Sequence, residues 1–177
     1  MRSDLRDELL RRRDRDQAVR AKLVARYGVA PVTDGLDPGL LRDLERVDRE
    51  NTAWLKTIVR EQGWPGISLV GQDGADCAWL LAQHADRDPA FQAECLALLE
   101  RAVGAGDASP GHLAYLTDRV LLKERGMQRY GTQFRVGPGG PEPEALEDPE
   151  RVDELCAAMG LQPLEDYRKG FVRGPSL

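Results

Sequence analysis

Apolar residues recur every three or four positions through most of this chain, and glycine or proline interrupts the pattern again and again. A sequence divided this way buries its apolar stripes by stacking short helices on one another. Leu5, Leu9, Val19, Leu23 and Tyr27 mark a first, basic helix over residues 1–28 that stops at Gly28. A loop from Val29 to Pro38 follows, broken by Pro31, Asp34-Gly35 and Asp37-Pro38. A second helix is expected from Pro38 to Gln62, stopped by Gly63-Trp64-Pro65-Gly66. Ile67 to Val70 reads as a short extended piece, and Gly74 to Ala85 as a third helix. Pro89 opens a fourth that runs to Val103, and Ser109-Pro110 a fifth that runs to about Glu124. Residues 127–149 form an irregular segment, extended or irregular from Met127 to Val136 and a Pro/Gly-rich acidic loop over 137–149. A last helix spans Glu150 to Met159, and a short turn runs from Leu164 to Tyr167. The expected fold class is all-α, a single-domain bundle of five to six helices.

Polar residues stand where the apolar stripes should continue. Asp16 lies in line with Leu9, Val19 and Leu23, with Arg20 four residues on, where the two can pair. Asp48 and Asn51 fall between Leu44 and Leu55; His84 follows Leu80 and Leu81. Asp118 lies between Ala114 and Leu121, with Arg119 beside it. Each alone fits a satisfied core network. Together they are harder to place separately, because an unpaired buried polar group costs about 1–3 kcal/mol. A polar pocket shared by several helices satisfies them together. The run Gln128-Arg129-Tyr130-Gly131-Thr132-Gln133-Phe134 gathers amides, a phenol and a hydroxyl around a glycine, as a loop over such a pocket would.

The segments Gly63-Trp64-Pro65-Gly66, Ala78-Trp79-Leu80-Leu81-Ala82-Gln83-His84-Ala85-Asp86, Leu113-Ala114-Tyr115-Leu116-Thr117-Asp118-Arg119-Val120 and Tyr130-Gly131-Thr132-Gln133 together resemble a bacterial family of unknown function that is common in actinomycetes. Asp16-Gln17 with Arg20, Asp48 with Asn51, and the later Pro149, Val152-Asp153 and Gly160-Leu161-Gln162-Pro163-Leu164 extend the resemblance over most of the chain. It implies no activity. It does imply that the residues selected by periodicity coincide with the family's motif positions.

Composition narrows the partners. No apolar run approaches the roughly 20 residues of a membrane helix, and the charged start is unlike a signal peptide. Residues 1–26 are basic, but acids are interleaved among them and the whole 177-residue chain has a net charge of −5, so nucleic acid is not an expected partner. Cys77, Cys95 and Cys156 are widely spaced in helical patterns and read as buried thiols in a cytoplasmic protein. His112, at the start of the fifth helix, is expected near the surface. All but four of the 25 basic residues are arginine, which fits a GC-rich bacterial genome.

The leading expectation is a cofactor-independent acid/base enzyme, of isomerase, lyase, cyclase or hydrolase type, acting on a small polar or anionic ligand. His84 would be the general base or acid, with Asp118 orienting it or sharing the proton and Tyr130 binding substrate or stabilising developing charge. Asp16, Arg20, Asp48, Asn51, Arg119, Gln128 and Gln133 would bind substrate, with Arg20 or Arg119 on an anionic group. Such an enzyme should bring His84, Asp118 and Tyr130 to one solvent-reachable cavity. A metal version would use His84, Asp48 and Asp118, but two histidines and no paired cysteines argue against a soft-metal site, so no metal and no cofactor are expected. The alternatives are a non-catalytic ligand-binding or protein-interaction module and a closed polar network with a purely structural role.

Overall fold

A computed structural model of the chain describes residues 1–28, 35–137 and 140–173. Pro31 and Asp34 of the expected first loop, and Pro138 and Gly139 of the acidic loop, lie outside the described residues. The structure is mainly helical. Among the described residues there are seven helices: α1 (Ser3–Tyr27), α2 (Pro38–Gln62), α3 (Ile67–Gln83), α4 (Pro89–Gly104), α5 (Pro110–Arg125), α6 (Val152–Ala158) and α7 (Leu164–Arg173). One antiparallel hairpin, β1 (Phe134–Gly137) with β2 (Gly140–Pro143), pairs Phe134 with Pro143 and Gly137 with Gly140. No helix among the described residues is long and apolar enough to cross a membrane.

The local chemistry explains most boundaries. Asp37 caps α2 by accepting hydrogen bonds from the Gly39 and Leu40 amides at 2.8 and 3.1 Å, with Pro38 in the first turn. Asp88 caps α4 in the same way through the Phe91 amide. Gly126 closes α5 in the left-handed conformation.

Three expectations are corrected. α3 begins at Ile67, so the residues read as extended are its first turn, and it ends at Gln83, before His84 and Ala85. Its start depends on Asp107, whose backbone oxygen accepts from Ile67 N and whose carboxylate accepts from Ser68 N. That cap arrives from 39 residues away and leaves no local signal. The helix then bends at Gly71, which holds φ 75° and ψ 169°, a conformation open essentially to glycine alone. The turn at Leu164 is instead a helix to Arg173, started by the Asp153 carboxylate on the Leu164 amide. His112, expected near the surface, is half-buried and stacked on Trp79 with ring centroids 3.9 Å apart.

α3 is the hub. It packs against α1, α2, α4 and α5, while α4 and α5 also pack on each other. The core draws one large buried leucine from each of these five helices, Leu9, Leu55, Leu81, Leu99 and Leu116. The three cysteines are free and buried. The C-terminal end of α3 is thereby fixed where α1 and α2 pass it, and the polar interruptions of those helices meet there.

Candidate functional site

His84 is the first residue beyond α3, its amide still bonded to the Leu80 carbonyl at 3.1 Å. Its ring turns toward α1, where Nδ1 lies 2.8 Å from Oδ1 of the fully buried Asp16. Asp16 also accepts from Gln17 Nε2 at 2.8 Å and from Arg20 Nε at 3.2 Å. The far side of the Arg20 guanidinium reaches α2, donating from Nη2 to Asp48 Oδ1 at 2.7 Å. Three helices are thus joined by one polar chain: His84, Asp16, Arg20, Asp48.

Gln92 holds the end of α3 in place. It is wholly buried on α4 and donates to the carbonyls of Ala82 and Gln83 in the last turn of α3, where a helix leaves its carbonyls short of helical partners. Its own oxygen accepts from Lys123, which with Arg119 also pairs with Asp86. Gln92 was not among the expected site residues, although it stands in the α4 stripe between Phe91 and Cys95 and the same reading of polar interruptions could have found it.

The electrostatics divide the carboxyls. Burial pushes Asp16 upward, but the His84 hydrogen bond and the charges of His84 and Arg20 outweigh it and hold its carboxyl below the usual range. Burial raises Asp48 to about 6, with Arg20 pulling down and the nearby Asp16 pushing up. Burial lowers His84, against the opposing pull of Asp16 and with Arg20 and Arg119 adding to the fall. An ionised carboxylate only accepts, so Nδ1 carries the ring proton and Nε2 presents its lone pair. Among the described residues the ring makes no side-chain hydrogen bond besides the one at Nδ1.

A cavity of about 270 Å³ opens beside this ring. Asp48, Arg49, Thr52, Ala53 and Lys56 of α2 form one wall, and His84, Arg87 and Asp88 the other. Ion pairs bridge the two walls, Arg87 to Glu45 and Lys56 to Asp88.

The other expected residues are placed differently. Asp118 does not orient His84. It is fully buried and accepts four hydrogen bonds of 2.8–2.9 Å, from the amides of Arg129, Tyr130 and Thr132 and the Thr132 hydroxyl. Burial raises its pKa, and these four donors pull the other way. Gln128 staples the same loop, donating to the carbonyls of Gln133 and Glu144 and accepting from the Gln133 amide. Gln133 donates its side-chain amide to Thr132. Tyr130 lines a separate cavity of about 350 Å³ between this loop and residues of α6 and α7. His84, Asp118 and Tyr130 therefore do not share one cavity. Arg119 binds the Gln83 side-chain oxygen and Asp86, which places it behind His84. Asn51 is buried and accepts from Arg12, whose guanidinium lies 4.4 Å over the Trp54 ring.

One ligand atom from each of Asp16, Asp48 and His84 lies within 4.8 Å of the others. Arg20 already stands against both carboxylates, and Nδ1 is turned onto Asp16, so a divalent ion would have to displace a guanidinium to bind there. The triad expected for a metal, with Asp118 as the third ligand, does not form because both Asp118 oxygens serve the loop.

The chain belongs to the DUF6624 family, a family of unknown function whose model matches residues 3–172. No curated protein and no solved structure matches it.

Proposed function

We propose that this DUF6624 chain is a cofactor-independent acid/base enzyme that acts on a small polar or anionic molecule held in the cavity beside His84. The observation that carries the reading is the 2.8 Å contact between His84 Nδ1 and the buried Asp16 carboxylate. A carboxylate in that position fixes the tautomer, turns Nε2 to the substrate and stabilises the imidazolium once a proton is taken up. The lowered His84 pKa keeps the ring neutral at neutral pH, the form a general base needs. Asp48, poised near 6 on the facing wall, supplies or receives the second proton. Isomerisation, elimination, cyclisation and hydrolysis share this proton step.

In this reading Asp16 replaces Asp118 as the orienting group. Asp118, Gln128 and Gln133 shape the loop that carries Tyr130, and Arg119 braces Gln83 behind the histidine. In this proposal the protein acts in the cytoplasm as a single domain, within bacterial secondary metabolism. Nucleic acid is not its partner, since the basic side chains of α1 are largely neutralised locally: Arg11 and Arg12 pair with Glu8, Arg13 with Asp14 and Arg6 with Asp73.

The test is to incubate wild type and His84→Asn with a bacterial polar-metabolite extract and follow every species by mass spectrometry. Asparagine keeps a polar atom near the Nδ1 position but offers no base at Nε2. The wild type should consume one metabolite and build its product, while the variant, folded to the same melting temperature within a few degrees, leaves it untouched. Retention of a metabolite by the wild type without conversion would make the protein a binding module. A large fall in the variant's melting temperature with no wild-type turnover would leave the network a structural one.

A further inference from the structure

We infer that the cavity beside His84 takes a small carboxylate monoanion and that Arg49 is the side chain that holds its charge. The inference rests on the acid/base reading of that cavity. It follows from which cations are already engaged. Arg20 and Arg119, the arginines expected to bind an anion, are not available: the first bridges Asp16 and Asp48, the second holds Gln83 and Asp86. Of the three cations lining the cavity, Lys56 pairs with Asp88 and Arg87 with Glu45. Arg49 lines the same cavity and, among the described residues, makes no ion pair or hydrogen bond.

Its position suits the task. Glu45, Arg49, Ala53 and Lys56 recur at helical spacing along one face of α2, so Arg49 lies between the two bridging ion pairs, one turn from each neighbour on the stripe. Asp48 precedes it directly and faces the same space, which puts the fixed positive charge and the titrating groups around one small volume. The third carboxyl of the lining, Asp48, is taken by Arg20, so among the described residues Arg49 is the one cation of the lining left without a partner. A phosphate dianion would find a single unpaired cation and would face the carboxyls of Glu45, Asp48 and Asp88. A carboxylate matches the guanidinium in charge and in its planar, two-pronged geometry. At about 270 Å³ the space lies below the range of roughly 300–1,000 Å³ found for drug-sized ligands. The occupant is therefore a compact acid whose reacting atom reaches His84 while its carboxylate stays on Arg49.

The experiment reads binding without turnover. The full-length protein, labelled with nitrogen-15, is titrated with lactate, pyruvate, glycolate and inorganic phosphate at constant ionic strength while the His84 ring signals are followed by NMR. At least one carboxylate should move those signals along a saturating curve, and phosphate should not. Arg49→Ala should weaken that binding at least about tenfold, and Arg49→Lys, which keeps the charge without the fork, should fall between the two. Arg15→Ala removes an exposed arginine of α1 that does not line the cavity, and should bind as wild type. Unaltered binding in Arg49→Ala, phosphate binding as tightly as the carboxylates, or no carboxylate reaching His84 would each overturn the inference. If carboxylates fail here while His84-dependent consumption of a metabolite persists, only the substrate class falls; carboxylate binding without any turnover removes the enzyme reading and leaves the anion site.

Discussion

Asp48 is the residue whose environment can be tested most directly. In an unfolded chain an aspartate titrates near about 3.9, whereas burial in the fold raises Asp48 to about 6. Between those values the folded state binds the extra proton, so this carboxyl's contribution is fully present below about pH 4 and is lost as pH rises through about 6. His84 works in the opposite sense: its depressed pKa leaves the unfolded state holding more protons below about 6.5, so its contribution grows as pH rises toward that value. The two oppose each other in the wild type. Asp48→Asn removes one of them, and its stability relative to wild type should rise by about 2 kcal/mol between about pH 4 and pH 7.5. Urea unfolding at both pH values measures this, and parallel profiles for the two proteins would contradict the raised Asp48. The same residue shows what periodicity alone conveys. Asp16, Asp48 and Asp118 are legible in the sequence as polar breaks in apolar stripes, but a stripe does not say who the partner is. Asp16 meets a histidine 68 residues away and Asp118 meets a loop 11 to 14 residues on, so two similar signals lead to an orienting carboxylate and a loop anchor.

At the scale of elements, helices with their own caps were readable and those capped from afar were not. α2 and α4 begin on an aspartate followed by proline, and their starts follow from sequence. α3 takes its first-turn cap from Asp107 and carries a kink at Gly71, and both features hide its first turn from a local reading. A side chain at Gly71 would sit in a backbone region that costs about 1–3 kcal/mol for other residues, and its Cβ would meet Met1 Sδ and Asp73 Oδ1 only at ordinary contact distance. Gly71→Ala should therefore lose about 1–3 kcal/mol through strain rather than collision, measured by chemical denaturation. Because the bend lies near the beginning of α3, well before His84, the imidazole signals of the folded variant should match those of the wild type; a displaced His84 would mean that the kink sets the geometry of the distant end. The hairpin was not legible as one, since its strands have four residues each and the second, Gly-Pro-Glu-Pro, reads as loop.

Two of the polar networks among the described residues lie in different parts of the molecule. One network joins α1, α2 and the end of α3 through Asp16, Arg20, Asp48 and His84; the other joins α5 to the following loop through Asp118, Thr132 and Gln128. They share no hydrogen-bond partner. The stability losses of Asp16→Asn and Asp118→Asn should accordingly add in the double variant to within about 0.5 kcal/mol, whereas a coupling above about 1 kcal/mol would show one continuous network. The sequence suggested a single convergence of hydrophilic groups, and what it lacked was the topology that assigns α1 and α2 to one end of α3 and the post-α5 loop to another region. The sulfur atoms follow a simpler rule. All three thiols are enclosed, and burial raises each of them, Cys156 to about 11, so little of the reactive thiolate forms near neutral pH. An alkylating reagent then meets no competent nucleophile until the interior opens, and its rate of uptake becomes a clock that counts how often this protein breathes.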